Sequence, residues 1–185
     1  MGDVPRNLTP REPEETSYRV CMVCTGNICR SPMAAVVLRR LLEDAGLHRR
    51  VQVDSAGTHD WHVGGGADRR ALAALRDAGY DGSGHRAAQF EAAWLASRDL
   101  VLVADRGHLR VLRSMGRAGF DMSHVRLLRE FDPDSVEAGT LDVDDPYYGD
   151  AAGFDRCLAE IVAACRGVVE HVEAELAARD RTGDR

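Results

Sequence analysis

Apolar positions along the chain follow two alternating rhythms. Short, nearly continuous apolar runs at Tyr18 to Cys24 (YRVCMVC), Val51 to Val53, Asp99 to Ala104 (DLVLVA) and Val125 to Leu128 read as strands. The third is the cleanest, with the unbroken pattern of a strand covered on both faces. Between them lie segments with helical spacing. One runs through MAAVVLRRLLEDAG after Ser31-Pro32, with Gly46 as its stop; others span about 67–78, 90–97 and 106–117, and a long closing helix covers about 151–178. A serine beside a proline signals a helix start, because the hydroxyl can cap free N–H groups and proline suits the first turn. Asp54 to Thr58 reads as a loop, and the acidic stretch before Ala151 as irregular. Strands separated by helices imply an α/β protein of three αβα layers around a four-stranded parallel sheet. Ligands in such folds sit beyond the carboxyl ends of the strands, and the turn after Cys24 lies at one of those ends.

The ends of the chain break the rhythm. Residues 1–17 carry three prolines and many charges without an apolar period, and are expected to be a disordered extension. The domain is expected over 18–178, with 179–185 as a polar tail. A chain of 185 residues suits one such domain. The formal net charge is −6, and all 24 basic side chains are arginine. An acidic balance argues against broad nucleic-acid binding, which needs a basic face. No run approaches the roughly 20 apolar residues that span a bilayer. Five cysteines, an odd number, without a conventional export signal argue against a disulfide framework. A monomer with reduced thiols in the cytoplasm is expected.

The segment Cys24-Thr25-Gly26-Asn27-Ile28-Cys29-Arg30-Ser31 carries most of the chemistry. A cysteine and an arginine separated by five residues occur often by chance. Here the cysteine ends a buried strand, glycine and asparagine permit unusual dihedrals, and a helix follows at once. Successive backbone N–H groups can then form a nest for a tetrahedral dianion at a helix N-terminus. The same positive surroundings favour thiolate over thiol at Cys24. Arg30 offers a planar fork for two phosphoryl oxygens. Ser31 is expected to cap the helix and to donate to the Cys24 sulfur.

With these residues in register, the chain resembles the low-molecular-weight protein-tyrosine phosphatase family. VCTGNICRSPMA (residues 23–34) matches the family signature almost letter for letter. Asp54-Ser55-Ala56-Gly57-Thr58, Asp60-Trp61, His85-Arg86-Ala87 and Asp145-Pro-Tyr-Tyr-Gly149 continue the match in the family's order. The resemblance implies a phosphotyrosine phosphatase I-like fold and a cysteinyl-phosphate intermediate on Cys24, with neither metal nor cofactor. It further implies phosphotyrosine-containing proteins as substrates.

A phenolate with a conjugate acid near pKa 10 departs better when protonated in flight. The family pattern assigns that proton to Asp145, held extended by Pro146, with Asp144 as the fallback. Trp61, Tyr147 and Tyr148 are expected to wall an aryl-phosphate slot. The tyrosine pair is also open to a partner kinase, as in relatives. Asn27, Ser55 and His85 resemble a support network for the loop, whereas His48, His108, His124 and His171 are read as surface or satisfied residues.

Cys21 and Cys24 form a CxxC, but a strand turns them to opposite faces, so they cannot share a metal. Cys157 and Cys165 lie about 12 Å apart along one helix, too far for a disulfide. Cys29 is open to two readings, a small buried residue or a partner in a reversible disulfide that shields Cys24. An arsenate reductase of this fold needs mid-chain cysteines that are absent between Arg30 and Arg156. An arginine phosphatase would typically carry threonine in place of Ile28. A redox or phosphate-binding module without turnover would leave Arg30 and Asp145 unexplained.

Overall fold

The computed structural model describes residues 18–183. The expected extension 1–17 and the final positions 184 and 185 lie outside the described residues. Four parallel strands, β1 (Tyr18–Cys24), β2 (Val51–Gly57), β3 (Leu100–Val103) and β4 (Val125–Leu127), form one sheet in the order β2-β1-β3-β4. Helices α1 (Arg30–Asp44), α2 (Arg69–Asp77), α3 (Arg106–Met115), α4 (Pro133–Ala138) and α5 (Ala151–Thr182) complete the fold.

Period-two alternation divides the core. Val20, Met22 and Cys24 of β1 face a cluster built with α1, α2 and α5, while Cys21 and Val23 face the opposite cluster with Leu109 and Leu112 of α3. On α5, Phe154, Cys157, Leu158, Ile161, Cys165, Val168, Val172 and Leu176 make one buried stripe at helical spacing. The chain leaves β1 for β2 on one side and then for β3 on the other. The crevice beyond the carboxyl end of β1 is therefore the switch point of the sheet.

Several boundaries differ from the sequence expectation. β2 runs on through Asp54-Ser55-Ala56-Gly57, because these residues pair in register with Cys21 to Cys24; pairing overrides their weak strand propensity. The segment 90–97 holds only a 3₁₀ turn, Ala92–Ala96. Helix α4 lies in the stretch read as irregular, started by Pro133 and stopped by Gly139 at φ +70°. α5 extends to Thr182, so most of the expected polar tail is helix. Arg179 donates to Asp99 at 2.6 Å and lies over the Tyr18 ring, so an ion pair and a ring contact dock this last turn where no apolar stripe would show. Among the described residues, no helix is long and apolar enough to cross a membrane.

Candidate active site

β1 ends at Cys24 and α1 begins at Arg30, so the loop between them closes in five residues. The chain after β2 pins its start: Thr58 N–H donates to Cys24 O at 2.9 Å and His59 N–H to Thr25 O at 3.0 Å. Gly57 permits this approach, since a Cβ there would lie 2.6 Å from Thr25 O and 3.1 Å from Asn27 N. Asn27 is fully buried with φ +55°, a left-handed conformation that asparagine tolerates better than most residues. Its Nδ2 donates to Ser31 Oγ at 2.8 Å and Ser55 Oγ at 3.0 Å, and its Oδ1 accepts from Ala88 N at 2.9 Å. His85 Nε2 donates to the Asn27 carbonyl at 2.7 Å. Burial holds the His85 imidazole below its ordinary pKa; the Asn27 contact opposes this, and the Arg39 and Arg86 charges reinforce it. A neutral ring with its proton on Nε2 satisfies this geometry. Asn27, Ser31, Ser55 and His85 thus meet around one loop, as their spacing alone could not show.

Ser31 does not cap α1. The helix starts one residue before the Ser31-Pro32 signal, with Cys29 at the cap and no side-chain capping bond. Ser31 therefore sits inside the first turn, with Oγ 3.0 Å from Cys24 Sγ and 3.3 Å from Ala56 O. Because Asn27 donates to the Ser31 oxygen, the Ser31 proton is free to point elsewhere. With Cys24 as a thiolate, only Ser31 can be the donor in that contact.

Arg30 is nearly sealed from solvent and held on two sides. Its Nη1 donates to Asp105 Oδ2 at 2.9 Å and Val143 O at 3.2 Å, and its Nη2 donates to Asp145 Oδ2 at 2.8 Å. Asp145 remains about two-fifths exposed, at 43%. Its Oδ1 accepts from Tyr147 N at 3.2 Å, in a turn closed by Gly149 N–H on Pro146 O at 2.9 Å. Asp144, the fallback acid, is exposed and directs its backbone N–H to Glu160 at 3.4 Å.

A cavity of about 270 Å³ opens above this turn. Cys24, Thr25, Gly26, Ile28, Cys29 and Arg30 form its base, and Trp61, His62, Asp145, Tyr147 and Tyr148 its rim. Trp61 is 67% exposed and Tyr148 93%, so neither is a core residue. Trp61 stacks on His59 with centroids 4.2 Å apart, and the two tyrosines meet edge to face at 5.0 Å.

Residues 19–178 match the family model described as low molecular weight phosphotyrosine protein phosphatase. A low molecular weight protein-tyrosine-phosphatase of Streptomyces coelicolor is 52% identical over 163 residues, covering 88% of this chain and 98% of the relative. Among solved structures, YfkJ from Bacillus subtilis superimposes with a TM-score of 0.80 at 31% identity, covering 88% of this chain and 98% of that one. A Drosophila arginine phosphatase follows at 0.73 and 27%, covering 83% and 96%. The chain belongs to the low molecular weight protein-tyrosine phosphatase family. It is a hydrolase of that family, whose substrates are phosphoproteins.

Sequence reasoning missed four residues of this phosphatase site. Asp105 caps α3 and pairs with Arg30. Burial alone would raise its carboxyl, but the side chain and N–H of His108 and the charge of Arg30 outweigh that and hold it well below the usual range. His108, read as a surface or satisfied ring, is buried and 2.8 Å from Thr25 Oγ1. His62 packs over Gly26 at the rim. Arg70 pairs with Asp68 and donates to Gly149 O at 3.1 Å, tying the Asp145 turn to α2. Of these, only His62, next to Trp61, carried a local signal.

All five cysteines of the phosphatase are free thiols. Cys21 and Cys24 do lie in opposite core clusters. Burial raises the Cys29 thiol strongly, with the Asp68, Cys24 and Asp145 charges adding to the shift, and burial pushes Cys157 up to about 12. Among the described residues, no group of three or more His, Cys, Asp or Glu is placed to hold a metal ion.

Proposed function

We propose that this phosphatase hydrolyses phosphotyrosine through a phosphocysteine on Cys24. One observation carries the reading: Cys24, the Arg30 fork and the Asp145 carboxylate face a single cavity. The thiolate attacks phosphorus, forming the S–P bond as the P–O bond to the ring breaks. Asp145 passes its proton to the departing phenolic oxygen. Asp145, now a carboxylate, takes a proton from water, which attacks the phosphocysteine and releases phosphate and the Cys24 thiolate. Ser31, 3.0 Å from the sulfur, stabilises that leaving group.

Arg30 pairs with Asp145 before substrate arrives. A phosphoryl dianion competes for the same guanidinium, and releases the carboxylate to carry its proton. The loop N–H groups and the first turn of α1 supply the rest of the anion site, with Thr25, Gly26, Asn27, Ile28, Cys29 and Ser31 as its frame. The exposed aromatic rim and apolar Ile28 suit an aryl phosphate better than a guanidino phosphate. Tyr147 and Tyr148, both solvent-accessible, are our candidates for a kinase. The enzyme acts as a monomer in a reducing cytoplasm, where Cys24 stays unoxidised.

The test is phosphate release from a phosphotyrosine peptide under reductant and EDTA. Cys24→Ser abolishes it. Asp145→Asn lowers kcat about 10²–10⁴-fold on phenyl phosphate, and much less on an ester whose leaving group is already a weak base. Wild-type turnover of phosphoarginine but not phosphotyrosine, or an active Cys24→Ser, sinks the reading.

A further inference from the structure

We propose that His108 is a positioning residue of the reaction, fixing Thr25 in the phosphate loop and Asp105 on Arg30. The proposal rests on the reading of residues 24–30 as the phosphate site.

His108 sits in the first turn of α3, and its side chain is 6% exposed. Its Nε2 lies 2.8 Å from Thr25 Oγ1. On the other edge, Nδ1 lies 3.0 Å from Asp105 Oδ1, in contact with it though not aligned as a hydrogen bond. The same Oδ1 accepts the His108 backbone N–H at 3.0 Å, which caps α3, while Oδ2 takes Arg30 Nη1 at 2.9 Å. Contacts therefore run without a gap from Thr25 through His108, Asp105 and Arg30 to Asp145.

Burying an imidazole is costly unless its polar edges find partners. Its neighbours Leu109 and Leu112 show that the same helix otherwise buries leucine against the sheet. A ring here makes sense for what it touches. Thr25 directly follows the nucleophile, and His59 already holds its carbonyl. With the hydroxyl held as well, backbone and side chain of this residue are both fixed before phosphate arrives. That is the preorganisation an anion-binding loop needs. The Asp105 edge acts on the second element of the site, setting the direction of the Arg30 fork.

The experiment compares His108→Leu, His108→Gln, Thr25→Val and the Thr25→Val/His108→Leu double variant. Readouts are kcat and KM on a phosphotyrosine peptide, thermal melting, and affinity for inorganic phosphate by calorimetry in the Cys24→Ser background. The last needs no turnover, so it still reports on His108 should the catalytic role of Cys24 fail. His108→Leu is expected to lower kcat/KM about tenfold, the worth of one buried hydrogen bond, and to weaken phosphate several-fold. His108→Gln, which keeps a polar group toward Thr25, recovers most of both. The double variant falls no further than Thr25→Val within about twofold, because both act through one contact. Folded His108→Leu with unchanged phosphate affinity overturns the proposal, as do losses that simply multiply in the double variant. If His108→Leu does not fold, Thr25→Val and His108→Gln decide: wild-type phosphate affinity in Thr25→Val overturns it.

Discussion

Replacing Asn27 separates the two roles this residue plays in the loop. It is fully buried, and its side chain makes three hydrogen bonds of 2.8, 3.0 and 2.9 Å to Ser31, Ser55 and the Ala88 N–H. At about 1 kcal/mol net for each, losing the side chain costs about 3 kcal/mol. The backbone is a separate matter, because φ is +55°. Glycine adopts that angle freely, whereas alanine pays about 1–2 kcal/mol for it and regains only about 0.4–1 kcal/mol through a less disordered unfolded chain. Asn27→Gly should therefore lose about 3 kcal/mol, and Asn27→Ala somewhat more. Urea unfolding at neutral pH measures both, and inhibition by inorganic phosphate shows whether the loop still binds its anion. Weaker phosphate inhibition is expected in both variants. A loss below about 1 kcal/mol in Asn27→Ala would refute the hydrogen-bond part of the reasoning. Alanine more stable than glycine would refute the backbone part.

Two further outcomes follow from packing and protonation. A Cβ at Gly167 would collide with the backbone carbonyl of Phe131, where the turn Leu128–Phe131 packs on α5; neither atom can swing aside. Gly167→Ala should cost about 1–3 kcal/mol and lower Tm by several degrees in differential scanning calorimetry, and an unchanged Tm would show that the two segments do not press together. His85 is held neutral in the fold by burial, so between its folded pKa and the ordinary value near 6.5 the unfolded chain binds more protons. Its contribution is complete above about pH 6.5 and is lost as pH falls through that window. Unfolding free energies from pH 7.5 to 5 should drop more steeply for the wild type than for His85→Gln, and parallel profiles would refute the assignment.

Much of the fold and the loop could be read directly from the chain. Strands and helices repeat at different periods, so the parallel sheet follows from apolar spacing. The loop 24–31 is contiguous, so its strand, turn and helix start all fall within one short window. Asp145-Pro146 and the tyrosine pair were likewise visible as neighbours. Boundaries were less legible where local signals competed with pairing or docking. Asp54 to Gly57 reads as a loop until β1 is laid beside it. Arg179 reads as a tail until Asp99 and Tyr18 are placed next to it.

By itself, then, the sequence determined what depends on neighbours in the chain: the order of elements, the class of fold, and the loop with its cysteine, arginine and glycine. Tertiary structure alone decided what surrounds that loop. Asp105 reaches Arg30 across 75 residues, and His108 reaches Thr25 across 83. Neither partner differs, as a residue type, from an ordinary helix cap or a solvated histidine. Only the closing of β3 beside β1 brings the start of α3 over the phosphate loop, where burial makes each of those polar contacts count. Ser31, expected both to cap α1 and to meet the sulfur of Cys24, keeps only the second contact, because α1 begins one residue earlier than its strongest local signal.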